Sequence, residues 1–114
     1  MNRGSRWFVA VVLGMLSVSG ASTFHAAARR QTFTGEIGDA MCGRRHMDGT
    51  PAECTRTCVA HGSNFALIVG EKIYILQTSD KSVLATLDKQ AGKTATVTGV
   101  LADDTIEVSS IAAK

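Results

Sequence analysis

Thr96-Val97-Thr98-Gly99-Val100-Leu101 decides how this chain folds, because Thr32-Phe33-Thr34-Gly35-Glu36-Ile37 carries the same Thr-x-Thr-Gly-x-apolar pattern. Both stretches alternate. In the first copy Phe33, Gly35 and Ile37 share one face, with Thr32, Thr34 and Glu36 on the other, which is the period of a half-buried strand. Each glycine holds the inward register, where the missing side chain lets a strand bend sharply, as closing a small sheet on itself requires. The two strands are therefore expected to lie side by side and close the sheet. Composition alone can also generate such a match, so their pairing is the deciding observation.

Residues 38–49 read as a loop. Thr50-Pro51-Ala52-Glu53 then reads as a helix start: Thr50 caps, Pro51 suits the first turn, and Glu53 completes a capping box. The helix should run to about His61, with Gly62 supplying a left-handed residue past its end. Phe65-Ala66-Leu67-Ile68-Val69 and Lys72-Ile73-Tyr74-Ile75-Leu76-Gln77 are β-rich runs joined over Gly70-Glu71 as a tight hairpin. Asp80 can cap a short helix with Val83, Leu84 and Leu87 turned inward, ended by Gly92. Thr94 to Leu101 and Thr105 to Ile111 form a second hairpin over Ala102-Asp103-Asp104. The order strand, helix, strand, strand, helix, strand, strand predicts a mainly β (α+β) domain. In detail it predicts a small five-stranded OB-like barrel, with an inserted Cys/His-bearing helix after strand one and a short helix between strands three and four.

The 114 residues allow one small domain, with 45% hydrophobic but only 5% aromatic content. Arg3 and Arg6 precede an apolar run from Trp7 to Val18 that ends in small residues, the layout of a secretory signal and shorter than a membrane span. Ala26-Ala27-Ala28 is the best cleavage pattern, so residues 1–28 are expected to be a signal peptide and 29–114 the domain. An uncleaved N-terminal anchor is the alternative. Without Arg3 and Arg6, the 12 basic residues fall to the number of acidic ones, 10, and the net charge of +2 disappears. A neutral domain has no electrostatic footprint for nucleic acid or an anionic membrane surface. Its aromatics are Phe33, Phe65 and Tyr74, few for stacking the bases of a single strand. The expected location is periplasmic or secreted, where disulfides persist.

All three cysteines (Cys42, Cys54, Cys58), two of the three histidines (His46, His61) and two of the four methionines (Met41, Met47) fall within the segment 41–62. Cys54, Cys58 and His61, spaced by four and three on the helix, share one stripe, and the loop bearing Cys42 and His46 can fold over it. One reading is a metal site. Cys42, His46, Cys54 and Cys58 supply three thiolates and an imidazole, which suits tetrahedral zinc; His61 and the methionines would extend the set toward copper. The other reading is a staple, Cys42 bonded to Cys54 or to Cys58, worth about 2–4 kcal/mol. Cys54 and Cys58 lie one helical turn apart with parallel side chains and are poorly placed to bond each other. The staple leaves one thiol free, and Arg44, Arg45 and Arg56 would lower its pKa.

Plainer explanations exist for several of these residues. His61 suits the negative end of a helix, and the methionines suit loop packing. Glu53 is accounted for by the capping box, and Asp39 and Asp48 by turns. No Cys-x-x-Cys, phosphate loop, serine elbow or haem-attachment motif is present, so no enzyme activity is expected, with a thiol-dependent activity as the remaining alternative.

Gly35-Glu36-Ile37-Gly38-Asp39-Ala40-Met41-Cys42, the run from Glu53-Cys54 through His61-Gly62, and Val97-Thr98-Gly99 with Ile106-Glu107-Val108 resemble a group of small secreted bacterial proteins of uncharacterised function. Their pattern is Gly-x-Ile-x-Asp-x-x-Cys, then Cys-Thr-x-x-Cys-Val-x-x-Gly, then a Val-Thr-Gly strand. The second half resembles periplasmic bacterial OB-fold proteins, which implies a ligand- or partner-binding role; those proteins lack the cysteine segment. Cys-x-x-x-Cys with histidine is similar to the ligand set of copper-delivery proteins of respiratory-oxidase assembly, whose thioredoxin-like fold is not expected here. The leading expectation is an exported, non-catalytic binding domain with a zinc or copper site. The alternative is a disulfide-stapled OB-like module that recognises a small ligand or an envelope protein without metal.

Overall fold

The protein is described by a computed structural model over residues 29–43, 45 and 49–114. The expected signal segment 1–28, together with Arg44, His46, Met47 and Asp48, lies outside the described residues.

The repeated threonines meet. Strand β1 (Arg30–Asp39) runs antiparallel to strand β4 (Thr94–Ala102), with Thr32 opposite Thr98 and Thr34 opposite Thr96. Their hydroxyls lie 3.4 and 3.2 Å apart, a short threonine ladder on the outer face. The other faces of the two strands supply Ile37, Ala95 and Val97, all with 0% exposure. The glycines of the repeat permit close backbone approach. A Cβ on Gly35 would stand 2.3 Å from the Ile68 carbonyl oxygen, and one on Gly99 2.2 Å from that of Glu107. A register shift between Thr98 and Gly99 marks where β4 bends.

Three more strands, β2 (Phe65–Val69), β3 (Lys72–Gln77) and β5 (Thr105–Ala113), complete a hydrogen-bonded ring in the order β1-β2-β3-β5-β4, closed by the β1–β4 pair. The β3–β5 pair is parallel and the others antiparallel. With helices α1 (Pro51–Ala60) and α2 (Lys81–Lys89), the domain is mainly β, in the expected order of elements. Ile37, Leu67, Leu87, Val97 and Ile106 form its fully buried centre. Alternation along the strands puts apolar residues inside the ring, and burying them drives its closure.

Three expectations need correction. β1 continues through Gly38 and Asp39, placed in the loop by sequence, because both still pair with Ala66 and Phe65 of β2. Leu84 does not turn inward: Val83 and Leu87, one turn apart, are buried on α2, while Leu84 on its flank is 40% exposed. Gly92 does more than follow a helix. α2 is capped by Gln90, and Gly92 (φ +75°) donates its N–H to the Ile37 carbonyl at 2.7 Å. A Cβ on Gly92 would be 2.7 Å from the Ala52 nitrogen, so its bareness lets α1 sit against this turn.

Candidate metal centre

Asp39, the last residue of β1, organises the turn that follows it. Its Oδ2 accepts the backbone N–H of Met41 at 3.0 Å and of Cys42 at 2.9 Å, and its main-chain carbonyl accepts from Gly43 at 3.0 Å. An aspartate bonding its own chain two and three residues on makes a tight turn without help from elsewhere. Gly43 is buried with φ +56°, the left-handed region that favours glycine, and a Cβ there would press on Ile73 Cδ1 of β3 at 2.8 Å. Cys42 is thereby held above the end of the ring.

Helix α1 supplies the other two thiols. Both halves of the expected capping box are formed: Thr50 Oγ1 accepts from Glu53 N at 3.2 Å, and Glu53 Oε2 accepts from Thr50 N at 2.9 Å. Cys54 and Cys58, one turn apart, face the Asp39 turn. The helix ends as Gly62 predicts, with φ +101°. Gly62 N–H donates to the Val59 carbonyl and Ser63 N–H to that of Cys58, both at 3.0 Å, which satisfies the orphan carbonyls. This places the Ser63 hydroxyl 3.2 Å from Met41 N and 3.5 Å from Asp39 Oδ2, tying the helix end back to the turn. Thr50→Ala is expected to cost about 1 kcal/mol, lowering the melting temperature by about 4–8 °C. Thermal unfolding followed by circular dichroism measures it.

The ligand atoms of Asp39, Cys42, Cys54 and Cys58 all lie within 4.8 Å of one another. Cys42 sits in the middle, its Sγ 3.1 Å from that of Cys58 and 3.7 Å from that of Cys54. All three are free thiols. Asp39 is wholly buried, and its Oδ1 finds no hydrogen-bond partner among the described residues. A buried charged oxygen left unpaired is costly, and a cation is the partner that would offset it. Hydrogen bonds with Cys58 and then Cys54, together with burial and the Asp39 charge, push the Cys42 thiol up to about 12. Cys58 is pulled down by its hydrogen bond with Cys42, but burial, the charges of Asp39 and Cys54, and a side-chain interaction with the Asp39 carboxylate outweigh this and its pKa is also raised.

The structure brings together Cys42, Cys54 and Cys58 of the expected ligand set. His46 and Met47 lie outside the described residues, as does Arg44. His61 is the exposed C-cap of α1 and not among the converging four, and Met41 is 70% exposed. The arginine effect is expected on the thiol a staple leaves free, a state not present here; the Cys42 and Cys58 pKa values rise through neighbouring thiols, burial and Asp39. Arg45 is exposed, and Arg56 instead bridges to α2, donating to the Asp88 carbonyl at 2.9 Å and pairing with its carboxylate at 3.5 Å. Asp39 is the residue sequence reasoning passed over. One of its oxygens makes the turn as expected; the other, Oδ1, has no hydrogen-bond partner among the described residues. The signal for it was the Asp39-x-x-Cys42 spacing, which puts an aspartate side chain beside the residue three positions on.

Beside the centre, Val59, Ser63, Phe65, Leu76, Gln77 and Glu107 line part of an open cleft of about 400 Å³. Among the described residues no helix is long and apolar enough to cross a membrane. No protein-family model, curated protein or solved structure matches the chain.

Proposed function

We propose that the protein is an exported, non-catalytic OB-like binding domain carrying a zinc centre made by Asp39, Cys42, Cys54 and Cys58. The observation that carries this reading is the convergence of every cysteine in the chain on one buried carboxylate with an unpartnered oxygen. A disulfide would use two of the thiols and leave the third, and Asp39 Oδ1, unexplained. At a zinc–sulfur distance of about 2.3 Å a tetrahedral site separates its sulfurs by about 3.8 Å, close to the 3.7 Å between Cys42 and Cys54. Copper(I) prefers an all-sulfur set, so a carboxylate beside the thiols favours zinc. The OB-like assignment is supported by the ring order, with β1 shared between β2 and β4 and β3 parallel to β5. Export is supported by the arginine-flanked apolar run before residue 28.

Zinc binds thiolates, whereas Cys42 and Cys58 hold their protons above the ordinary value of 9.0. Metal uptake by the reduced protein should therefore release about 2–3 protons, and its affinity should fall by about 2–3 orders of magnitude per pH unit on acidification. The stability of the metal-free protein runs the other way. A thiol with a raised folded pKa favours the folded state at low pH, and that contribution is lost as pH climbs from 9.0 toward about 12. Zinc titration of the reduced protein in buffers of different ionisation enthalpy checks both the one-to-one stoichiometry and the proton count. Failure to take up zinc at neutral pH would overturn the reading.

A second reading is favoured by the 3.1 Å between Cys42 and Cys58: a disulfide tying the turn to α1, in an interaction module whose ligand or partner occupies the neighbouring cleft. One protected disulfide and one alkylatable thiol in protein taken from its native compartment would support it.

A further inference from the structure

We infer that the centre is redox-gated: a disulfide-class oxidant joins Cys42 to Cys58, leaves Cys54 as a thiol, and so abolishes metal binding. This inference rests on the metal-centre reading and makes the staple the other state of the same site.

Two independent features select the pair. Cys42 and Cys58 make the shorter sulfur–sulfur contact, at 3.1 Å against 3.7 Å for Cys42 and Cys54. They are also the two that solvent reaches, both being half-buried while Cys54 is 6% exposed. They belong to different elements, the Asp39 turn and α1, so their side chains approach from opposite sides. Cys54 and Cys58 instead project in parallel from one helix. Bond formation needs the sulfurs to close from 3.1 Å to about 2.05 Å, a movement of about 1 Å that the three-residue turn from Ala40 to Cys42 can absorb.

The chemistry balances. The Cys42 thiolate attacks one sulfur of the oxidant R–S–S–R, forming a mixed disulfide and releasing one RS⁻. The Cys58 thiolate then attacks Cys42 Sγ, the protein disulfide forms, and the second RS⁻ leaves. Two protein thiolates are oxidised and one R–S–S–R is reduced by two electrons to two RS⁻. Of the four donors only Asp39 and Cys54 remain, too few for a tetrahedral site, so the zinc ion is lost. Reduction by two RSH reverses the sequence.

The test is a redox titration of the reduced, zinc-loaded protein with oxidised and reduced glutathione. Free zinc is read by a chromophoric chelator, and thiols are read by alkylation and peptide mass mapping. Zinc release is expected to track the loss of two thiols per chain, with Cys42 joined to Cys58, Cys54 alkylated, and zinc uptake restored by dithiothreitol. Cys54→Ser should still form the Cys42–Cys58 bond, whereas Cys42→Ser should yield no protein disulfide under the same conditions. Zinc retained across the whole titration, or a disulfide that includes Cys54, would overturn the gate while leaving the metal centre standing. A reduced protein that takes up no zinc before glutathione is added would overturn the metal centre and the gate together.

Discussion

Asp39→Asn is expected to weaken zinc binding at least about a hundredfold while leaving the fold intact. Loss of a partner behind a ligand costs about 10–100-fold in metal affinity, and here a ligand itself is lost. Asparagine has the same shape and keeps a carbonyl oxygen for the Met41 and Cys42 amides, so the turn survives. The variant loses the charge and the unpartnered Oδ1. In the metal-free protein this removes a buried carboxylate one of whose oxygens has no hydrogen-bond partner among the described residues, and should hold or raise the melting temperature, because such a charge opposes folding. The pair of measurements separates the two readings of the site. Zinc affinity from competition with a chromophoric chelator falls only if Asp39 binds the ion, whereas a simple staple predicts the stability gain and no metal effect. Equal zinc affinity in the variant and the parent would remove Asp39 from the centre.

Gly35→Ala and Gly99→Ala should be the most damaging small substitutions in the ring. Each adds one methyl group, yet the obstruction is backbone: the Ile68 carbonyl oxygen at 2.3 Å for the first and the Glu107 carbonyl oxygen at 2.2 Å for the second. Neither can rotate away as a side chain would, so two paired strands must separate. Overpacking of this kind costs about 1–3 kcal/mol, and immovable neighbours put both variants at the upper end. A small domain has about 5–10 kcal/mol in hand, so each should lose more than about 10 °C in melting temperature. Unfolding in urea should show the fall in midpoint. Variants within about 3 °C of the parent would show that the close approaches do not constrain the ring.

The fold was readable because its main constraints are local and repeated. The Thr-x-Thr-Gly pattern states the β1–β4 neighbour relation twice, once on each strand, and the antiparallel register sets the first threonine of each copy opposite the second of the other. The capping box of α1 and the left-handed Gly62 needed only adjacent residues, and both appear as read. What could not be read depends on distant neighbours. β1 outruns its alternation because Ala66 and Phe65 continue to pair with it. Gly92 is fixed by contact with Ala52, forty positions away in sequence. At the site, the three cysteines were identifiable by residue type and clustering, but Asp39 was not. An aspartate that makes a turn looks complete in sequence, and only burial reveals that its second oxygen has no partner among the described residues.

The chain leaves the ring at Asp39 and returns to it at Phe65, and these two residues are direct partners in the ladder; Ala40 N–H then bonds the Asn64 carbonyl at 2.9 Å. Departure and return therefore coincide in space, as they would in a two-residue hairpin. In the strand ladder the intervening segment takes the place of a turn between β1 and β2. The segment is nonetheless keyed to the body it stands on, through Gly43 against Ile73, Ala52 against Gly92, and Arg56 against Asp88: the ladder fixes where it is attached, and these contacts fix how it lies.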